Sequence, residues 1–409
     1  MKIRAITCFL DPSSHEMPKT LHHLSHLSQD LKHALQNTGI EVQTCRVATT
    51  PFPLWLNLAS ESQMIRTVQE LEQEVLTLGF DYLGVGPALL THAASYAAVI
   101  PILASTSSTF IAAQMAEPDY GISLQAIRAS ANIIHQAASL TSDGFANLRF
   151  AALANVPPGA PFFPAAYHPT GHPPALAFAI EGADAVLEVF SQERTWDETR
   201  QALLGHLETF ANRITSVVTP LLDSGIVFRG FDFSPAPFPS PSCSIGAALE
   251  RLGASRLGTF GSLSAAAFLA ETLSRGRWPR SGFNGLMLPV LEDTVLAQRA
   301  AEGTLSLKDL LLFSAVCGTG LDTVPLPGET SPDQLMGLLA DLAFLSTRLR
   351  KPLTARLMPI PGKKAGDAVS FDFAYFAAGG VMALPSSSLC EALWFRDEKI
   401  NLGNFSALA

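Results

Sequence analysis

Charge is what this chain has least of. Only 15% of its 409 residues are Asp, Glu, Lys or Arg, against 48% apolar, so most of the chain has to be packed inside something. Two stretches, 82–116 and 150–180, contain no charged residue of either sign. A membrane-spanning helix needs about 20 unbroken apolar residues. The first stretch is cut by Pro87 and Pro101, and the second carries seven prolines, so neither is a span; both read as buried strands, short helices and pocket-lining loops. Positive charge is the scarcer sign, and the net charge of −9 with no basic stripe argues against nucleic acid as a partner. Cysteine is sparse and scattered (Cys8, Cys45, Cys243, Cys317, Cys390), with no CxxC spacing. That excludes a zinc knuckle and a disulfide framework, and points to a reducing cytoplasm. The opening "MKIRAITCFLDP" reaches Asp11 before an apolar signal core forms, so secretion is not expected.

What is present is an alternation of strand-like and helix-like segments. "KIRAITCFL" (2–10) has strand composition, and a helix runs from about Pro18 to Gly39. Ser60 and Gln63 suit a capping box ahead of an apolar stripe ended by Gly79. "DYLGVG" (81–86) reads as a buried strand, with a helix near 88–99, a strand near 107–115 and a helix over 122–140. "NLRFAALANV" and "PALAFAIEG" read as strands around a proline-rich loop, and a long helix over about 195–224 leads into the strand "GIVFRGFDFS". The second half has helices near 244–252, 262–275, 291–301 and 304–316, with strands at 283–290, 320–326 and 353–360. This rhythm predicts an α/β fold with helices covering a mostly parallel sheet. No linker divides the chain, so one domain over 1–409 is expected, with pseudo-halves at 1–225 and 226–409.

Several segments offer chemistry, each beside a plainer role. His22, His26 and His33 fall within about 40° on one helix face, but opposite Leu24, Leu27, Leu31 and Leu35; they are the solvent side of an amphipathic helix. His168 lies in the apolar, proline-locked "PPGAPFFPAAYHPTGHPP", where an imidazole meets either a ligand or a backbone carbonyl. Asp232 is the lone acid of "FDFSPAPFPSPS" at a strand's carboxyl end, placed for a ligand or for turn-making. Gly258 and Thr259, with Gly261 and Ser262, precede a strong helix whose N-terminus suits an anion, unless Ser262 or Ser264 is simply its N-cap. Glu292 and Asp293 open a helix, where acids suit the macrodipole; one of them has reach into a pocket beyond the preceding strand. Cys317 ends the helix "LKDLLLFSAV" and is followed by Gly318 and Gly320. A helix C-terminus raises a thiol's pKa, so a nucleophile there needs a cation such as Arg356 or Lys363, whereas a buried inert thiol needs none.

At this loop the sequence resembles a known family. "VCGTGLDTVPLPGET" (316–330) is similar to the signature of the DUF711, or UPF0210, family of uncharacterised proteins. "APFFPAAYH" (160–168), "GFDFSPAP" (230–237), "VLEDTVL" (290–296), "ARLMPIPGKKAGD" (355–367) and the opening "MKIRAIT" agree with it; "STSSTFIAAQM" (105–115) departs from the pattern. The resemblance implies a PFL-like α/β barrel, the ten-stranded type shared by glycyl-radical enzymes and ribonucleotide reductases. There two parallel half-sheets run antiparallel to each other, with helices outside and a finger loop inside, near which Cys317 would lie. No radical cofactor is expected, because the tail "INLGNFSALA" has Gly403 without the flanking Arg and Tyr of a glycyl-radical motif. The resemblance also implies small ACT-domain proteins as regulatory partners, and it carries no established reaction.

These readings combine into an expected pocket inside the barrel for a small polar or anionic metabolite. Arg356 would pair with a carboxylate or phosphate, joined by His168, Asp232, Glu292, Asp293, Asp322 and Cys317. Acid–base and thiol groups make an enzyme one reading, and a non-catalytic sensor working with the ACT-domain partner the other. A divalent cation such as Mg²⁺ or Ca²⁺ is the metal that carboxylates alone would suit. The apolar excess is of the kind that a subunit interface buries, so a homo-oligomer, a dimer in its simplest form, is expected.

Overall fold

The computed structural model describes residues 1–222, 225–253, 255–385, 389 and 391–402; Cys390 and Gly403 lie outside them. Ten strands carry the architecture: β1 (Lys2–Leu10), β2 (Val42–Thr49), β3 (Tyr82–Ala88), β4 (Thr109–Glu117), β5 (Gly121–Ser123), β6 (Phe150–Ala154), β7 (Ala175–Glu181), β8 (Val227–Ala236), β9 (Gly320–Pro327) and β10 (Leu353–Ile360). Between them come α1 (Met17–Asn37), α2 (Glu61–Thr77), α3 (Ser95–Ser105), α4 (Leu124–Ala137), α5 (Ala183–Phe190), α6 (Trp196–Val218), α7 (Ile245–Leu252), α8 (Ser262–Ser274), α9 (Thr294–Ala301), α10 (Leu307–Val316) and α11 (Pro332–Leu349).

The result is a mixed α/β fold on one large, mostly parallel sheet in the order β8-β7-β1-β2-β3-β4-β6-β10-β9. The five central strands β1, β2, β3, β4 and β6 are mutually parallel. At each side the direction reverses once: β7 is antiparallel to β1 and parallel to β8, and β10 is antiparallel to β6 and parallel to β9. The ladders trace an open run, so the ring expected from the resemblance is not drawn by continuous pairing. Nor is 283–290 the expected strand. Its only ladder contact is one isolated parallel bridge, Pro289 to Asp322, and a second, Phe231 to Arg280, lies just before it. Positive φ angles at Gly282 (78°) and Asn284 (46°) break the extended backbone there, and Pro289 has no N–H to offer a neighbour.

Both sheet faces are buried, and the strands show why. In β7, Leu176, Phe178 and Ile180 point into the core shared with the helices, while Ala175, Ala177 and Ala179 belong to small clusters on the opposite face. Ala5, Ala48, Ala112, Ala151 and Ala236 continue that alanine surface on other strands. The room they leave is filled by the proline-rich loop, whose Phe162, Phe163, Ala165, Ala166 and Tyr167 pack there. Hydrogen bonds seat it: Thr7 Oγ1 donates to the Pro161 carbonyl at 2.7 Å, and the His168 amide to the Thr49 carbonyl at 2.8 Å. Gly84 of β3 leaves space for it too, since a Cβ there would lie 3.0 Å from the Phe163 ring.

Candidate functional site

Beside that loop lies a cavity of about 80 Å³. Eight strands reach it: β1, β2, β3, β4, β6, β8, β9 and β10 each contribute at least one lining side chain. Side chains two apart on a strand share a face, so Thr44 and Arg46 of β2, and Thr354 and Arg356 of β10, line it as pairs. Aromatic rings make much of the remaining wall, including Tyr82, Phe110, Phe163 and Phe283. A loop between β11 (Ala368–Val369) and β12 (Gly379–Gly380) adds Phe373 and Tyr375. Its outer ends are tied by the short β11–β12 ladder, and the Ala377 amide donates to the Leu291 carbonyl at 2.7 Å.

Charge in this charge-poor chain is concentrated here. Glu292 accepts 2.7 Å hydrogen bonds on both oxygens, from Arg4 Nη2 on one and from Arg356 Nη2 on the other. Arg4 Nη1 reaches Glu181 at 3.1 Å, and Arg356 Nε reaches Asp322 at 2.5 Å. Three carboxylates thus share two guanidiniums, all buried, with one negative charge in excess. Burial raises the Asp322 pKa, with Glu292 adding to the rise and Arg356 opposing it. Burial works to lower the pKa of Arg356, but Asp322 and Glu292 outweigh it and raise it. Removing one member of such a buried pair strands the other and costs about 3–5 kcal/mol.

Arg46 is the exception. Its Nε donates to Thr44 Oγ1 at 2.9 Å, and its guanidinium lies 5.5 Å from the Tyr82 ring centre and 5.3 Å from that of Phe163. Among the described residues it has no carboxylate partner, and neither terminal nitrogen has a hydrogen-bond acceptor. Burial, helped by the like charge of Arg4, lowers its pKa to about 10, which still leaves it charged at neutral pH. The result is an oriented guanidinium facing a cavity with its fork open.

The candidate residues read from the sequence divide accordingly. Glu292, Asp322 and Arg356 meet at the cavity. Asp232 does not line it. Its oxygens accept from the backbone amides of Ser234, Phe283 and Asn284 and from Ser234 Oγ, which fixes the 281–285 turn, and burial raises its pKa. Asp293 accepts from Val295 and Leu296 at the start of α9 and from Ser244, Ile245 and Gly246 at the start of α7. It caps two helices at once, and burial raises its pKa as well.

His168 is fully buried with its Nε2 against the His172 carbonyl at 3.1 Å, and burial lowers its pKa, favouring the neutral ring. Cys317 is 1% exposed and packs in the main core between sheet and helices, not on the cavity wall. Gly318 beside it packs on Gly285, where the requirement for glycine lies: a Cβ on Gly285 would lie 2.7 Å from the Gly318 backbone. Gly258 and Thr259 form a surface loop before α8, where the Gly258 amide donates to Ser262 Oγ. Lys363 is exposed in the turn after β10. His22, His26 and His33 of α1 are exposed, and among the described residues no group of three or more His, Cys, Asp or Glu is placed to hold a metal ion. Also among them, no helix is long and apolar enough to cross a membrane.

Sequence reasoning passed over Arg4, Arg46 and Glu181. The available signal was a charged residue at alternate positions of strands in a chain with so few charges.

Comparison with known sequences gives a consistent set of relatives. The sequence model of the family described as Uncharacterised ACR (DUF711) matches residues 1–376. The chain is similar to a UPF0210 protein of Pyrobaculum arsenaticum, 31% identical over 394 residues, covering 90% of this chain and 87% of that one. Similar proteins occur in Syntrophobacter fumaroxidans (31% over 355 residues, 81% and 77% covered) and Acetivibrio thermocellus (28% over 366 residues, 86% and 81% covered).

Proposed function

This chain belongs to the DUF711 (UPF0210) family, and from that footing we propose that it binds a small anionic metabolite in the cavity beside Arg46, inside a sheet closed as a ten-stranded barrel. The observation that carries the binding site is Arg46 itself, a half-buried, cavity-facing guanidinium with no carboxylate partner among the described residues, beside two buried arginines, Arg4 and Arg356, that are both paired. Arg46 is half-buried, and an anionic ligand would give its open fork the charge-assisted hydrogen bonds that the protein does not.

Closure is supported by Glu292. It joins Arg4 of β1 to Arg356 of β10 through one carboxylate, although β2, β3, β4 and β6 lie between those strands in the sheet. Five strand spacings of about 4.8 Å would part them by roughly 24 Å if the sheet were flat. The two isolated bridges of the 280–289 segment, one to β8 and one to β9, supply the missing tenth position.

Binding without covalent chemistry is the reading that the wall favours. The thiol of Cys317 is in the core, and Asp232 and Asp293 are saturated by backbone donors, which leaves Glu292 and Asp322 as the acids at the cavity. A sensor of this kind works through a partner, and the ACT-domain proteins implied by the family resemblance are the candidate. The test is thermal unfolding of the full chain with short carboxylates and inorganic phosphate at constant ionic strength. A bound anion at 100 times its Kd adds about 2.7 kcal/mol of stability, and Arg46→Gln is expected to abolish that gain. No shift with any anion in a folded wild type, or an equal shift in Arg46→Gln, overturns the reading.

A further inference from the structure

Resting on the anion site proposed above, we infer that its ligand is a short monocarboxylic acid, singly charged, rather than a phosphate ester or a dicarboxylate. Charge balance is the first argument. Around the cavity the three carboxylates of Glu181, Glu292 and Asp322 exceed the guanidiniums of Arg4 and Arg356 by one charge, an excess that Arg46 offsets without touching any of them. Arg46 alone lacks an acidic partner among the described residues. One negative charge pairs with the open Arg46 fork; a second would face Glu292 and Asp322 with no free cation to meet it, in surroundings where like charges are poorly screened.

Shape is the second argument. Thr44 holds Arg46 Nε, and the rings of Tyr82 and Phe163 lie near its guanidinium, so the two terminal nitrogens remain as a planar fork. That geometry matches the two oxygens of a carboxylate. Size is the third. One water needs about 10–15 Å³ of such space, so 80 Å³ holds roughly five to eight heavy atoms. Phe110, Phe163 and Met287 on the wall ask for an apolar body. The hydroxyls of Tyr82 and Tyr375 have no protein partner among the described residues, and they are free to meet one neutral polar group on the ligand.

The experiment is calorimetric titration of the full chain with four probes at equal ionic strength: propionate, lactate, succinate and inorganic phosphate. Propionate or lactate is expected to bind at least tenfold more tightly than either of the other two, and Arg46→Gln to lose that binding. In Asp322→Asn, which removes one negative charge, the preference over succinate and phosphate is expected to shrink at least tenfold. Should that variant fail to fold, Glu292→Gln makes the same change. Succinate or phosphate binding as well as the monocarboxylates overturns the ligand class while leaving the anion site standing. Absence of binding by all four probes removes the site and the inference together.

Discussion

Asp293 shows how much one side chain does in this protein without touching a ligand. It accepts four backbone amides and one hydroxyl, from the starts of α7 and α9. Replacing an N-cap acid costs about 1 kcal/mol at a single helix, and each buried donor left unmet adds about 1–3 kcal/mol. Asp293→Ala is therefore expected to lower stability by about 3–5 kcal/mol, measured as urea unfolding of the full chain. A loss under 1 kcal/mol would mean the two helix starts are satisfied by something else. The residue was visible in the sequence as an acid at a helix start, and its plainer reading is the one that the contacts describe. His168 and Cys317 stand out because reactive side chains are rare in apolar segments; core packing accounts for Cys317, while His168 has its Nε2 on a carbonyl and its buried Nδ1 without a partner among the described residues.

Elements built on alternation were legible where the pattern was apolar. The apolar stripe of α1 and the runs of β1, β3 and β7 announce their faces directly. Strand β2 was passed over because "VQTCRVAT" turns Thr44 and Arg46 toward a polar cavity, which disguises a buried strand as a mixed one. Helix α11 has a capping box at Ser331 and Gln334, but its start follows directly on the Pro-Gly turn that closes β9, which masks it in the sequence. The glycines at contacts between elements separate two costs. At Gly230 (φ 102°) a Cβ would meet the Pro279 carbonyl oxygen at 2.2 Å, a clash with backbone added to a strained φ. Gly230→Ala is expected to cost about 3 kcal/mol. Gly84→Ala presses only on the Phe163 ring and is expected to cost about 1 kcal/mol, yet to weaken anion binding, because Phe163 stacks near Arg46. Equal stability losses in the two variants would contradict this account.

Over the whole molecule, three buried aspartates contribute to the response to acid, together with Glu117, Glu181 and Asp341, whose pKa values burial also raises. Asp232, Asp293 and Asp322 have pKa values raised, first of all by burial, above the ordinary 3.8. The folded state then holds protons that the unfolded chain has released. Their contribution to stability is full below 3.8 and is lost as pH rises through the folded values. Lowering the pH from 7 toward 4 should accordingly favour wild type relative to Asp322→Asn, which cannot take up that proton. Urea midpoints of both proteins along that pH series check it, and a gap that stays constant or moves against wild type refutes it. The global α/β plan followed from alternation, but the meeting of distant strands did not, because nothing local in β1 or β10 announces that Arg4 and Arg356 share one carboxylate.

The alanines on the inner face give the sheet the character of a socket, and the loop over 157–168 that of a removable insert. Where the loop sits the strands present alanines, so the volume on that side of the chamber depends on which side chains the insert carries at Phe162, Phe163 and Ala165. Exchanging those few residues would re-cut the chamber while every strand kept its neighbours, which lets one scaffold accept differently sized guests without being rebuilt.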